Sequence, residues 1–524
     1  MKQLQFIFIS FLTLINWNAF AQRPDEIIFS SPINLTATTD INDTIKKGRP
    51  IKLYSIQNFK YVDSKQVLPY LNITGLRKSD EPFRVSTALE FKSIKNFDVE
   101  KSTDVEYTWN SFLLFNDFFP TLISKGLQYE IRNQLEEDNL EYLKKLEENN
   151  SFFHDDYFED YLYSILSKIH PGILSDGRPG NISVKILKNS EPNAFCLSNG
   201  TILLSTGLLS TIESEDELVG ILAHEAAHFV LDHQMLNYNT QQDRKKRAEF
   251  WSGFAIAAAA TADILLAQNN KNHQVGILTY SAAIAAAIVS TEVLEKLGIK
   301  YSLAQESNAD WAARNIAEVL KYDKEGITIA LKRIRKHLIS TGNYLALSGG
   351  STHPSIDDRI GNDFSPIDNI KYSNVEYLKK VSFINSFNAK NELWNFSHIA
   401  KAQELADKNI KSGVATEIDY LIKAIILRRL NNSKVKIEES LSLIQKAKTA
   451  ITTENIVIDK EEAITLMRLN RNMEAKKSFE TYLLNLQSYQ KNIDSDNNNS
   501  NDSDKTLLSE IEWTKKMIFK VAHL

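Results

Sequence analysis

"LAHEAAHFVLDH", residues 222–233, places three of the chain's ten histidines in a short run. His224 and His228 are four positions apart, so on a helix they project from one face, one turn above the other. Two imidazoles so placed can both reach one metal ion at about 2.0–2.1 Å. Glu225 lies about 100° further round the helix. There it sits beside a metal's open position, where a carboxylate can take a proton and return it. His233 is half a turn out of phase with His224 and is predicted to face away. The surrounding run is apolar: Leu218, Ile221, Leu222, Ala223, Ala226, Ala227, Phe229, Val230 and Leu231. Two histidines and a glutamate in such a helix need partners. A solvated polar face does not supply them; a metal does.

The helix has a clear start. Ser214-Glu215-Asp216-Glu217 reads as a capping box, with Ser214 as N-cap and Glu217 reaching back. The run is expected to continue to about Leu236. A catalytic zinc usually has three protein ligands and one open position, and no third histidine follows at short spacing. The third ligand must come from another element, and "QESNADWAARNIA" (305–317) is the best candidate. Glu306 and Asp310 stand one turn apart on a helix that also carries Ala309, Ala312 and Ala313. These small residues permit close packing against the histidine helix. Glu306 is then the third ligand, and Asp310 bonds the far nitrogen of a ligand histidine, fixing its tautomer and ring angle. One Zn2+ per chain is the expected cofactor.

The bulk numbers constrain the rest. The chain has 524 residues, 43% hydrophobic and 24% charged, with a net charge of -5. That balance suits a globular protein of several domains and argues against a nucleic-acid partner, which calls for a basic stripe. The single cysteine, Cys196, excludes an internal disulfide and a cysteine-based zinc cluster. Residues 1–21 read as a signal peptide: Lys2, the apolar "FIFISFLTLI" (6–15), then Ala19-Phe20-Ala21 before Gln22. The alternative is an uncleaved anchor. The expected location is exported, periplasmic or membrane-associated on the non-cytoplasmic side.

Along the chain, 22–150 carries no chemical motif and is a region of unknown role. "PIKLYSIQNFKYV" (50–62) is strand-like, and 121–149 and about 155–169 read as helices. "ISVKILK" (182–188) alternates as a strand, and Asn199-Gly200 is a hairpin turn signal between apolar runs. A small antiparallel sheet is therefore expected ahead of the histidine helix. Residues 249–295 are Ala-rich and read as a helical hairpin, either buried over the core or touching a membrane. Residues 302–321 and 324–341 read as helices, and "SGGSTHPSIDDRI" (348–360) as a Gly-rich loop entering a short helix. Residues 375–487 read as helix pairs in which Ala424, Ala447, Ala463 and Ala475 mark close contacts. Tetratricopeptide-like (TPR-like) repeats and an irregular bundle are the two alternatives. Residues 488–504 are low-complexity and expected to be a disordered linker, with a last helix in 505–524. The fold class is mainly α (α+β).

Four segments in order, "NAFCLSNGTILLSTGLL", "ELVGILAHEAAHFVLDH", "ESNAD" and "STHPSIDDRI", resemble the zinc metallopeptidases that include HtpX, the CAAX prenyl proteases and BepA. The likeness covers about 155–365. It implies a helical gluzincin endopeptidase domain over 151–370, with His224, His228 and Glu306 as ligands and Glu225 as base. It implies that the Ala-rich hairpin stands where membrane-embedded relatives have spans. A TPR-like domain after the peptidase is similar to the BepA arrangement; residues 22–150 depart from that pattern.

His353 and Arg359 sit in the last of these segments. Pro354 keeps His353 extended. His353 is expected to approach the metal, as a donor to the oxyanion or as a capping fourth ligand in a latent state. Arg359 is expected to stabilise the same oxyanion or to pair with Asp310. A structural turn with a surface ion pair is the alternative for both. Asn193, Ala194 and Phe195 suggest a sheet edge to which an extended substrate adds as a strand, or else a structural hairpin. Two functions follow. One is an exported zinc metalloendopeptidase acting on protein or peptide substrates, with envelope quality control and outer-membrane assembly partners as its context. The other is a latent peptidase that acts as a chaperone-like binding protein.

Overall fold

The computed structural model describes residues 26–40, 46–48, 50–60, 67–76, 82–88, 97–99, 104–105, 108–109, 127–169, 182–238, 291–347, 353–361, 363–367, 373–394, 398–450, 455–495 and 501–523. The signal-peptide reading of 1–21 and most of the Ala-rich hairpin of 249–295 lie outside the described residues. No helix among the described residues is long and apolar enough to cross a membrane.

Five strands come first: β1 (Glu26–Ala37), β2 (Pro50–Lys60), β3 (Val67–Leu76), β4 (Pro82–Ala88) and β5 (Phe97–Val99). They form an antiparallel sheet in the order β4-β3-β2-β1-β5. Only the β2 segment was expected from the sequence. Trp109 ties the end of this region to the next one: its indole donates to Ile169 O at 2.9 Å, and its ring joins the main core.

Helix α1 (Leu127–Glu148), strand β6 (Phe152–Phe153) and helix α2 (Asp156–Ile169) lead into β7 (Ser183–Leu187), β8 (Ala194–Cys196) and β9 (Thr201–Ser205). Strands β6 to β9 form a second sheet, ordered β6-β7-β9-β8. It is mixed rather than antiparallel throughout, because β7 and β9 run parallel. The turn at Asn199-Gly200 pairs β8 antiparallel with β9, with Gly200 at φ +82. That leaves β8 as an edge strand.

Helix α3 (Thr206–Thr211) then precedes α4 (Glu215–Val230), which carries the histidine motif. Ser214 caps α4 by accepting from Glu217 N. The reciprocal half of the box does not form. Glu217 reaches back to the Ser214 hydroxyl at 3.1 Å and the Glu213 amide at 3.4 Å rather than to Ser214 N, and pairs with Arg333 at 3.0 Å, since a buried carboxylate gains more from a guanidinium than from one amide. Nor does the helix run to Leu236. It ends at Val230; Asp232 adopts a left-handed conformation at φ 56, and α5 (His233–Asn237) starts afresh. Arg132 from α1 holds the Asp232 carboxylate in that corner.

Five further helices follow among the described residues: α6 (Thr291–Lys296), α7 (Leu303–Val319), α8 (Gly326–Thr341), α9 (Tyr344–Leu347) and α10 (Ile356–Arg359). The alanines of α7 (309, 312, 313) and of α4 (223, 226, 227) share one buried cluster, so the two helices pack closely. Helices α4 and α8 touch through backbone. A Cβ on Gly326 would stand 2.2 Å from Asp216 O, and one on Gly220 2.6 Å from Ile327 N.

The rest is helix pairs: α11 (Val375–Glu392) with α12 (Ile399–Lys411), α13 (Glu417–Leu430) with α14 (Lys434–Thr449), and α15 (Val457–Arg468) with α16 (Asn472–Ser495), then α17 (Asn501–Ala522). Ala424, Ala447, Ala463 and Ala475 are fully buried in them. The pairs begin at Val375, Glu417 and Val457, intervals longer than the 34 residues of a tetratricopeptide unit. The stretch 488–504 is helical at both ends rather than wholly unstructured; 496–500 lie outside the described residues. The first pair grips the region around α3. Tyr377 donates to Leu209 O, Asn388 to Thr206 O, Lys408 to Ser210 O and Lys401 to Ser190 O.

Candidate metal centre

Helix α4 delivers His224 and His228 to one point, with their Nε2 atoms 3.1 Å apart. Helix α7 brings Glu306 to the same point: its carboxylate oxygens lie 3.3 Å from His224 Nε2 and 3.5 Å from His228 Nε2. All three side chains are buried. Each offers one ligand atom to a group whose members lie within 4.8 Å of one another, and His353 is the fourth member. In a tetrahedral zinc site with bonds of about 2.0–2.1 Å, ligand atoms stand about 3.3 Å apart. The spacing of 3.1–3.5 Å fits that geometry. Two ring nitrogens and a carboxylate are also a donor set that zinc takes.

The far nitrogens are held too. His224 Nδ1 lies 2.9 Å from Asp310 Oδ1, as the sequence spacing suggested. His228 Nδ1 lies 2.8 Å from His233 Nδ1. This overturns the expectation that His233 faces away. The left-handed Asp232 resets the helical phase, so counting residues from His224 no longer gives the direction. The signal in the sequence was an aspartate, a residue that tolerates that conformation, just where the apolar run ends. Tyr301 was also missed. Its ring stacks on His228 with centroids 3.8 Å apart.

Arg359, from α10, donates to Asp310 through Nε at 3.1 Å and through a terminal nitrogen at 2.7 Å. Its other terminal nitrogen is 3.0 Å from Glu306 Oε2. The expected pairing with Asp310 forms, Glu306 is an added partner, and the guanidinium also lies 3.5 Å from the His224 ring. His353 does approach the centre: Nδ1 is 2.8 Å from Glu306 Oε1, and Nε2 is 3.2 Å from Ala194 O. Ala194 belongs to edge strand β8. Asn193 turns its backbone toward β9, through Ser205, and Phe195 buries its ring in a second core beside Tyr142. The edge is thus presented by the Ala194 carbonyl rather than by side chains.

The electrostatics separate the carboxylates. Burial pushes the Glu225 carboxyl up, against the pull of His353 and His224. Its Oε2 is buried without a hydrogen-bond partner among the described residues. Glu306 is buried as well, yet His353 and Arg359 hold it well below the usual carboxylate range. Asp310 is lowered in the same way, chiefly by Arg359 against burial. One carboxyl is therefore poised to carry a proton while two stay ionised. His224 and Glu225 open onto a cavity of about 440 Å³.

Residues 164–362 match the model of Peptidase family M48. Over 175 residues the chain is 25% identical to the mitochondrial metalloendopeptidase OMA1 of Schizosaccharomyces pombe, covering 33% of this chain and 43% of that protein. Over 169 residues it is 24% identical to a putative beta-barrel assembly-enhancing protease of Vibrio cholerae, covering 32% of this chain and 31% of that protein. The aligned part therefore spans less than half the length of either relative.

Proposed function

We propose that the chain is a zinc-dependent metalloendopeptidase acting on protein substrates, a reading supported by the match of residues 164–362 to the model of Peptidase family M48. The observation that carries this is the convergence of His224, His228 and Glu306 at tetrahedral spacing, with Glu225 beside them facing a cavity. Those three residues would hold the zinc. When bound, it supplies Lewis acidity, polarising the scissile carbonyl and lowering the pKa of water to about 7. Glu225 accepts the proton of the attacking water and passes it to the departing amine; its raised carboxyl suits both halves of that transfer. Asp310 and His233 fix the ring angles of His224 and His228. Arg359 keeps Glu306 and Asp310 ionised and in place.

An extended substrate adds to the open side of β8, where the Ala194 carbonyl accepts a backbone N–H. His353, already beside both Ala194 and Glu306, moves aside and donates to the developing oxyanion. The location is outside the cytoplasm, supported by the charged start, apolar core and A-x-A pattern of residues 1–21. The likeness to an assembly-enhancing protease supports envelope protein quality control as the setting. The helix pairs of 375–495 then recruit substrates or outer-membrane assembly partners.

A second reading rests on His353. Its two contacts occupy both the Ala194 carbonyl and Glu306, as a latent peptidase serving as a binding protein requires. One experiment separates the two. The purified chain is assayed for casein cleavage with zinc, with a chelator, and as Glu225→Gln. Chelator-sensitive cleavage that the substitution removes supports the enzyme. A zinc-loaded chain that cleaves nothing refutes it in favour of the latent protein.

A further inference from the structure

Helix α1 ends at Glu148, before the family-matched residues 164–362 begin, yet its side chains reach toward the metal centre. Ile131, Arg132, Leu135, Asp138 and Asn139 recur at spacings of three and four, so they share one face. That face lies against α5. Leu135 packs with Met235 and Tyr238, and Ile131 packs beside them. The polar residues of the face find their partners on the same short helix and its approach. Tyr238 donates its hydroxyl to Asp138 at 2.5 Å, and Gln234 donates its amide to Asn139 at 3.1 Å. Asn139 in turn donates to Ser198 Oγ at 2.6 Å. Arg132 donates to both oxygens of Asp232, at 3.3 Å and 2.5 Å, and only 11% and 4% of the two side chains are exposed.

Asp232 is the corner between α4 and α5. Its φ of 56 is left-handed, a conformation that strains a residue with a Cβ and leaves glycine unstrained. On an uninterrupted helix, residue 233 would lie about 140° round from His228. The corner brings it back, so that His233 Nδ1 stands 2.8 Å from His228 Nδ1. We propose that Arg132 is a positioning residue of the metal centre: it holds the left-handed corner through Asp232, the corner directs His233, and His233 fixes the ring of His228. The proposal rests on the metalloendopeptidase reading above and deepens it, giving the residues ahead of the family-matched segment a part in the site. The guanidinium fork offers two N–H groups in a fixed plane to the two carboxylate oxygens. Without the fork a carboxylate at that depth is costly, and relaxing the left-handed backbone lets it turn toward water.

The test has two arms, both on the full-length chain. In the first, zinc Kd is measured by competition with a chromophoric chelator. Arg132→Ala is expected to weaken zinc binding about tenfold. Two double variants lack the ion pair altogether and so bury no unpartnered charge. Glycine takes the left-handed corner unaided, so Arg132→Ala with Asp232→Gly is expected to keep native affinity. Alanine does not, so Arg132→Ala with Asp232→Ala is expected to bind zinc about tenfold more weakly. Native affinity in a folded Arg132→Ala chain, or equal affinities in the two double variants, overturns the proposal and leaves α1 a packing helix. Should Arg132→Ala melt too low to assay, the two double variants decide. In the second arm, the chelated chain is isotope-labelled at its histidine rings. A hydrogen-bonded ring N–H resonance that His233→Ala removes reports the bond between His228 and His233. It is expected to vanish in Arg132→Ala and in the alanine double variant, and to persist in the glycine one. Its absence from the native spectrum, or its persistence in all three variants, overturns the proposal. A native chain that binds no zinc counts against the hydrolase reading, while the metal-free arm still decides the role of Arg132.

Discussion

Replacing His233 with alanine removes a side chain that sequence phase assigned no role and that the structure places 2.8 Å from His228 Nδ1. Both rings are buried, with exposures of 0% and 1%. For His228 to offer Nε2 to a metal, its Nδ1 carries the proton and His233 Nδ1 accepts it. Without the acceptor a buried N–H loses its partner, at a cost of about 1–3 kcal/mol. His228 also loses the contact that fixes its ring angle, and such losses weaken metal binding by about 10–100-fold. The two effects are separable. Fold damage appears as a lower melting temperature in the chelated protein. The metal effect appears in the increment that zinc adds, because stabilisation by a ligand follows the ratio of its concentration to Kd. At saturating zinc, a tenfold weaker Kd lowers that increment by about 1.4 kcal/mol. The assay is a thermal melt with and without zinc, with Kd measured by competition against a chromophoric chelator. An exposed histidine, His154→Ala, is the control. A chelated protein that melts lower while the zinc increment and Kd stay native would show that His233 is only a core residue, and the reasoning would be wrong.

Arg359→Lys keeps the charge but loses the planar fork that bonds Asp310 twice and reaches Glu306. Zinc affinity is expected to fall about tenfold with little change in melting temperature, and native affinity in the competition assay would contradict this. Gly326→Ala places a Cβ 2.2 Å from Asp216 O, a backbone atom. Helices α4 and α8 must separate, so a loss of about 2 kcal/mol or more is expected from chemical denaturation; a native midpoint counts against the close approach. Glu217 is pushed up to about 7 by burial, despite Arg333. Its ionisation is therefore harder in the fold than in the unfolded chain, where it occurs near 4.5. The stability this group contributes is present in full below 4.5 and is lost as the pH rises to about 7, by about 3 kcal/mol in all. Glu217→Gln removes that slope, so the stability difference between native and variant should change between pH 5 and pH 8; a constant difference is the refuting result.

Much of the centre was legible because its spacing is helical. His224 and His228 are one turn apart, and so are Glu306 and Asp310, and each pair lies in an uninterrupted helix. The alanines that let these helices approach were visible as well. What was lost lies where a local rule meets a non-local competitor. The direction of His233 depends on one left-handed residue, and that conformation is held by Arg132, a hundred positions earlier. The capping box at Ser214 shares its glutamate with Arg333, which the chain supplies from α8, 116 positions later. The parallel pairing of β7 with β9 was hidden because the hairpin signal at Asn199-Gly200 speaks only for β8 and β9. The first sheet failed for another reason. Strands β1 and β2 shift register between Ile28 and Ile33, and β2 and β3 between Leu53 and Ser55. Such irregularities break the two-residue alternation by which a strand is recognised.

Charge explains why these residues belong together. Glu225, Glu306 and Asp310 are all buried within one small region, and Arg359 is the only guanidinium bonded to it among the described residues. With the carboxylates ionised and the histidines neutral, two negative charges remain. Unbalanced charges at that depth are costly. The pocket can lower the cost by protonation, and the groups divide the burden unequally. His224 is drawn down by burial and by Arg359, but Asp310 and Glu306 outweigh both and raise it to about 9. Burial leaves the Glu225 carboxyl raised. A divalent cation answers the same imbalance without those protons, and its binding releases them. In the proposed mechanism the proton on Glu225 is the one with a catalytic use, because that carboxyl stands beside the proposed ligands rather than among them. In the proposed hydrolase the buried cluster is thus both a metal site and a proton reservoir, and His233 and Arg359, which the helical count did not place, keep the two functions on separate residues.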